Sequence, residues 1–320
     1  MRLFRGRIRK ALSVGKQLNA KKMLKYILII LFIPMISFGQ DLKSFHSKDG
    51  TEIFYQDIGE GETIVFLTGG PGLNPDVDLY ESLYSELKKK YRCIILHQRG
   101  TGKSLLKEIN ENTVNVERYN EDLNGLFNHL GGRKLILVGH SWGGMLSFSY
   151  ASNEPDKISK IILLGTGDIT GSFFTLFGSN INMRLTKEDL ELEELQIKNK
   201  RDDMVAIWPG YFFSRSIALQ TRPPLDYKFT NQDGISSFAV KDWRKKSEER
   251  VEKLKSFKAP VYLVTGRQDP GGNSIVYEVK SILPQTSFLF IEQCGHFPWI
   301  EGEKQSKIFY EFIDKSIMSN

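Results

Sequence analysis

Residues 135–138, Leu-Ile-Leu-Val, leave no position for a solvent-facing side chain, and runs like this one recur along the chain. A strand that is apolar at every residue has to be covered on both faces, which is the condition of a sheet layered between helices. β-Branched or apolar runs lie at 52–57, 63–67, 92–96, 134–138, 160–164, 261–265 and 287–291. Stretches of helical periodicity at 78–89, 116–130, 142–152 and 304–317 fall among them. This alternation predicts an α/β fold with a mainly parallel sheet flanked by helices. It breaks between Gly165 and Lys258, where no apolar strand run occurs. Glu- or Lys-rich helical stretches at 187–200 and 242–255 accompany the aromatic group Trp208, Tyr211, Phe212 and Phe213 there. The expected organisation is therefore a core at 40–165, a helical cap inserted at 166–258, and the rest of the core at 259–320.

The charge of the chain is concentrated at one end. Its formal net charge of +6 would suit a nucleic-acid or acidic-membrane partner. Residues 1–40, however, hold nine Lys and Arg and no Asp or Glu, so everything beyond them carries a net −3. Nucleic-acid binding thereby loses its support. The basic stretch is followed by a 13-residue apolar run from Tyr26 to Phe38 and then by small residues. That layout predicts a signal peptide over 1–39 and export, with no membrane span left after processing; an uncleaved anchor is the alternative. Cys93 and Cys294 each sit in an apolar or glycine-flanked context and read as separate buried thiols. No CxxC or HxxxH pattern occurs and the five histidines are scattered singly, so no metal site is expected.

Four short segments carry the expected chemistry. Gly139-His140-Ser141-Trp142-Gly143 lies directly after one apolar strand run and before an apolar helix. A strand-turn-helix of this kind holds its central residue in a strained conformation with the side chain presented outward, and needs glycines two residues to either side. Thr68-Gly69-Gly70-Pro71-Gly72 follows the run at 63–67 and can turn a backbone N–H toward a developing oxyanion. Gly70 and Trp142 are the candidate oxyanion donors. A serine hydroxyl needs an imidazole to take its proton, and the imidazole needs a carboxylate to hold its tautomer. His296 and Asp269 each follow a strand run and fill these roles, with Asp168 as the competing carboxylate. The segment 97–104 ends in Gly102-Lys103-Ser104 like a phosphate-binding loop, but His97 stands where that loop needs its first glycine.

Together, Gly69-Gly70-Pro71-Gly72, Gln98-Arg99-Gly100-Thr101-Gly102-Lys103-Ser104, the Ser141 elbow, Asp269 and Gly295-His296 resemble the α/β-hydrolase superfamily, and within it the proline iminopeptidase group of serine peptidases. The resemblance covers nearly all of 43–318 and implies an α/β-hydrolase fold with a helical cap, no cofactor, and a small-molecule or short-peptide substrate. It assigns Ser141 as nucleophile, His296 as base and Asp269 as orienting acid. Thr68 and His97 depart from the family's usual histidine and aspartate, which bears on substrate preference more than on catalysis. Family aminopeptidases hold the substrate's amine with acidic cap residues; here Glu188, Glu191, Glu193, Glu194, Asp202 and Asp203 are available. Trp208, Tyr211 and Phe212 are candidate pocket residues, or the core of the cap. The expected activity is aminopeptidase; a carboxylesterase and a catalytically silent binding protein of the same fold are the alternatives.

Overall fold

The computed structural model describes residues 41–319, so the leader expected at 1–39 lies outside the described residues. Eight strands, β1 (Asp41–His46), β2 (Glu52–Ile58), β3 (Glu62–Leu67), β4 (Tyr91–Leu96), β5 (Leu135–His140), β6 (Ile158–Leu164), β7 (Val261–Gly266) and β8 (Ser287–Ile291), pair in the order β1-β2-β4-β3-β5-β6-β7-β8. From β4 onward every neighbouring pair is parallel, while β1 with β2 and β2 with β4 are antiparallel. The strand β1 is absent from the sequence expectation. It carries Lys43 and Ser44 among few apolar residues, as suits an edge strand.

The two-residue period of a strand divides the core in two. On β3, Ile64 and Phe66 join one apolar cluster while Val65 and Leu67 join the other. β5 does the same with Ile136 and Val138 against Leu135 and Leu137. Each such side chain stabilises the fold by about 1.5–3 kcal/mol relative to exposure, so a strand buried on both faces is apolar throughout.

The helices outside the insertion are α1 (Asp78–Leu87), α2 (Val116–His129), α3 (Trp142–Asn153), α10 (Ser274–Ile282) and α11 (Glu303–Met318). Between β6 and β7 the chain makes α4 (Phe173–Asn182), α5 (Lys187–Lys198), α6 (Met204–Ile207), α7 (Arg215–Thr221), α8 (Ile235–Lys245) and α9 (Ser247–Leu254). The stretch 242–255 is thus two helices, broken at Lys246. α5 starts at a reciprocal cap between Thr186 and Asp189. α3 has no polar face, because every residue from Trp142 to Ala151 is buried. Among the described residues no helix is long and apolar enough to cross a membrane.

This topology locates the site. β3 has β4 on one side and β5 on the other, so the chain leaves β3 in one direction and later returns past it. A crevice opens at the carboxyl ends of strands where such a reversal occurs. The segments 68–72 and 139–143 both emerge there.

Candidate active site

Ser141 joins β5 to α3 with φ 52° and ψ −114°. A serine in this region costs about 1–3 kcal/mol, and the surroundings hold it there. Its N–H donates to Leu164 O at 3.0 Å and its carbonyl accepts from Gly144 N at 3.0 Å. Helix α3 can start this close to the sheet because residue 143 has no side chain: a Cβ there would lie 2.0 Å from Leu67 O.

His296 and Asp269 come from the far side of the insertion. His296 Nδ1 lies 2.9 Å from Asp269 Oδ2. That oxygen also accepts from Thr265 Oγ1 at 3.0 Å, and Oδ1 accepts from Gly271 N at 2.7 Å. A carboxylate so surrounded by donors is an acceptor, so the imidazole proton sits on Nδ1 and Nε2 is left free to accept. Asp269 and His296 are 7% and 2% exposed, and burial of this order strengthens the pair electrostatically. Asp168 lies elsewhere in role: its Oδ2 accepts from Ser172 Oγ at 2.7 Å and from Phe173 N at 2.9 Å, holding the start of α4.

Gly70, Ser141 and His296 border one cavity of about 280 Å³. Its walls are mostly apolar, from Leu73 on the core side to Phe173, Phe174 and Phe177 of α4. Phe177 packs its ring 4.8 Å from that of His296. Of the three aromatic candidates, Tyr211 borders the cavity, whereas Trp208 and Phe212 pack beneath it against Phe297 at 5.2 and 5.6 Å. Of the six acidic candidates, Asp202 and Asp203 border the cavity and the four glutamates of α5 do not. Burial raises the carboxyl of Asp202 above its ordinary value, although Met204 N and Phe229 N both donate to it at 3.0 Å. The phenylalanines of α4 are absent from the sequence expectation, though Phe173 and Phe177, four residues apart, carry the signal of one helix face.

The glycine loop is braced from behind by the segment that imitates a phosphate loop. Gln98 Nε2 donates to Thr68 O at 2.9 Å, and Gln98 Oε1 accepts from Trp142 Nε1 at 3.2 Å. Arg99, fully buried, donates through Nε and Nη2 to Asp122 at 2.8 and 2.6 Å. Gly102, Lys103 and Ser104 form a turn rather than a helix start, and Lys103 N donates to His97 Nδ1 at 3.0 Å. Cys93 and Cys294 are free, buried thiols, and burial pushes the Cys93 thiol up to about 12.

Residues 62–303 match the α/β hydrolase fold family, and the chain belongs to it. It is a serine hydrolase of that fold, and a distant homologue of the proline iminopeptidases among other α/β hydrolases. It is 23% identical to the proline iminopeptidase of Lactobacillus helveticus over 295 residues, which covers 83% of this chain and 95% of that one. It is 27% identical to a 2-hydroxy-6-oxononadienedioate/2-hydroxy-6-oxononatrienedioate hydrolase of Paraburkholderia phymatum over 287 residues, 83% of this chain and 93% of that one. A proline iminopeptidase-related protein of Thermus thermophilus superposes with a TM-score of 0.65 at 21% identity, covering 87% of this chain and 98% of that one.

Proposed function

We propose that the protein is an exported serine aminopeptidase of the proline iminopeptidase type. Ser141 Oγ attacks the substrate carbonyl as His296 Nε2 takes its proton, and Asp269 stabilises the imidazolium through the Nδ1–H bond. The carbonyl oxygen becomes an oxyanion facing the N–H groups of Gly70 and Trp142; losing one such donor typically costs about 2.7–4 kcal/mol. His296 then gives the proton to the leaving amine, and water activated by the same imidazole releases the acyl group from Ser141.

The observation that carries the choice of substrate is the charge of the cavity wall: Asp202 and Asp203 border it and, among the described residues, no Lys or Arg does. A charge about 4 Å from a carboxylate at an effective dielectric of about 20 feels on the order of 4 kcal/mol. That attraction favours a free amine on the residue being released, and the same term works against a substrate bearing carboxylates. The apolar remainder of a cavity of about 280 Å³ suits one small, compact residue such as proline.

Prolyl-arylamide is expected to turn over, with N-acetylation of the prolyl group lowering kcat/KM by at least about a hundredfold. Asp202→Asn raises KM for the free amine and leaves KM for a short aryl ester unchanged. Because burial raises the Asp202 carboxyl, KM for the amine rises as pH falls and that group protonates, and the asparagine variant lacks this limb. Turnover of esters alone refutes the peptidase. A folded protein that takes no fluorophosphonate, or takes it equally in Ser141→Ala, refutes the enzyme. Export is checked by the N-terminus of the protein recovered outside the cytoplasm; an N-terminus that retains the segment 1–39 in a membrane fraction refutes processing.

A further inference from the structure

Tyr80 on α1 and His140 at the end of β5 take no part in the steps above, yet they join the loop of the oxyanion donor to the loop of the base. Gly69 N donates to Tyr80 Oη at 2.7 Å, which commits that hydroxyl's own proton elsewhere. His140 Nδ1 lies 2.8 Å from the same oxygen and accepts it. An imidazole that accepts at Nδ1 carries its proton on Nε2, and His140 Nε2 faces the backbone carbonyl of His296 at 3.4 Å. Direction is thus set throughout, from the Gly69 N–H to the His296 carbonyl, with His140 neutral. Burial also holds His140 well below its ordinary value, so the neutral form persists.

Neither ring has room to swing. Tyr80 and His140 are 0% and 1% exposed, and both pack on Trp299, at 6.1 and 4.9 Å between ring centres. Trp299 is itself tied by its indole N–H to Leu79 O at 2.8 Å. The loop is held equally closely, because a Cβ on Gly69 would stand 3.0 Å from His140 Nδ1 and 3.1 Å from Tyr80 Oη. The anchored N–H lies one residue before the Gly70 N–H, so a shift of the first displaces the second.

We propose that Tyr80 and His140 are positioning residues that register the Gly70 N–H against Ser141 and His296. The role rests on the reading of Ser141 as nucleophile. Oxyanion donors act only as charge develops, so their misplacement lowers kcat and leaves ground-state binding alone. Tyr80→Phe removes one oxygen and leaves both the Gly69 N–H and His140 Nδ1 without a partner in a dry site. It is expected to lower kcat, counted per fluorophosphonate-titrated site, by about ten- to a hundredfold, less than deletion of a whole donor. KM stays within about twofold, and a boronate analogue of proline with its amine free, which mimics the tetrahedral intermediate, loses affinity by the same factor as kcat/KM. Where Tyr80→Phe does not fold, His140→Asn keeps an acceptor for Tyr80, gives up the bond to His296, and is read in the same way. A wild-type protein that is labelled by fluorophosphonate, with a Tyr80→Phe variant equal to it in kcat and boronate affinity, overturns the positioning role alone. A reduced kcat with unchanged boronate affinity overturns it too, since that is the signature of general loosening. A folded wild-type protein that takes no label overturns the nucleophile reading and this role with it.

Discussion

Two aspartates follow strands and precede helices, and their surroundings separate them. Asp269 meets His296 Nδ1 at 2.9 Å, while Asp168 spends its carboxylate on Ser172 and Phe173 at the start of α4. Asp269→Asn is therefore expected to keep the fold and lower kcat by about 10⁴, because the amide presents the wrong partner to Nδ1 and favours the wrong tautomer. Asp168→Asn is expected to lower stability by about 1–3 kcal/mol with much the smaller loss of kcat. Steady-state kinetics beside urea melts distinguish the two; a larger kcat loss at Asp168 reverses the assignment. At this scale the serine was legible because its glycine neighbours are demanded by contact, as with Leu67 O against residue 143. Tyr80 and Glu301 were not legible, since a tyrosine on a helix or a glutamate in a loop has no local pattern that tells a network member from a surface residue.

Among the elements, the segment 211–214 between α6 and α7 is fastened to the loop that carries His296. His296 N donates to Tyr211 O at 2.8 Å. Glu301, buried, accepts from Ser214 N at 2.8 Å and from Gly295 N at 2.9 Å, so one carboxylate bridges the inserted helices and the loop between β8 and α11. The contact is close enough that a Cβ on Gly295 would lie 2.1 Å from Tyr211 O. Glu301→Ala orphans one buried and one half-buried N–H group and is expected to cost about 1–3 kcal/mol in a urea melt, with KM rising as the cavity wall loosens. An unchanged melt and unchanged KM would show that the bridge does nothing. Helical periodicity made the inserted segment readable as helices. It could not say which faces turn inward, because acidic residues on α5 and in the turn before α6 look alike until the chain closes over β5.

In the molecule as a whole, one carboxylate staples the antiparallel end of the sheet. Asp57 on β2 accepts from Arg92 of β4 through Nε at 2.8 Å and Nη2 at 2.7 Å, and from Lys43 Nζ of β1 at 2.8 Å. The hydrogen bond from the Arg92 guanidinium, against the penalty of burial, holds its carboxyl down at about 2. The folded value lies below the unfolded one of about 3.9, so the stabilisation is full above that pH and is lost as pH falls through about 2. With screening of the half-exposed Arg92, the contribution is about 1–2 kcal/mol. Asp57→Asn is expected to lower Tm at pH 6, with the difference shrinking as pH falls toward 2 and vanishing below it; a difference independent of pH would contradict the staple. The sheet itself was readable from its doubly buried strands. The end built by β1 was not, since an edge strand with polar positions carries no apolar run.

β6 and β7 lie side by side in the sheet, with Ile161 opposite Val261, although the whole inserted segment separates them in the chain. Strand pairing thus closes the gap without reference to what is inserted. The inserted segment can be lengthened, shortened or replaced while Ser141, Asp269 and His296 keep their frame. The exchange has a tariff set at two points: any replacement has to bring a carbonyl to His296 N and a donor to Glu301, or the loop that carries His296 is displaced with it.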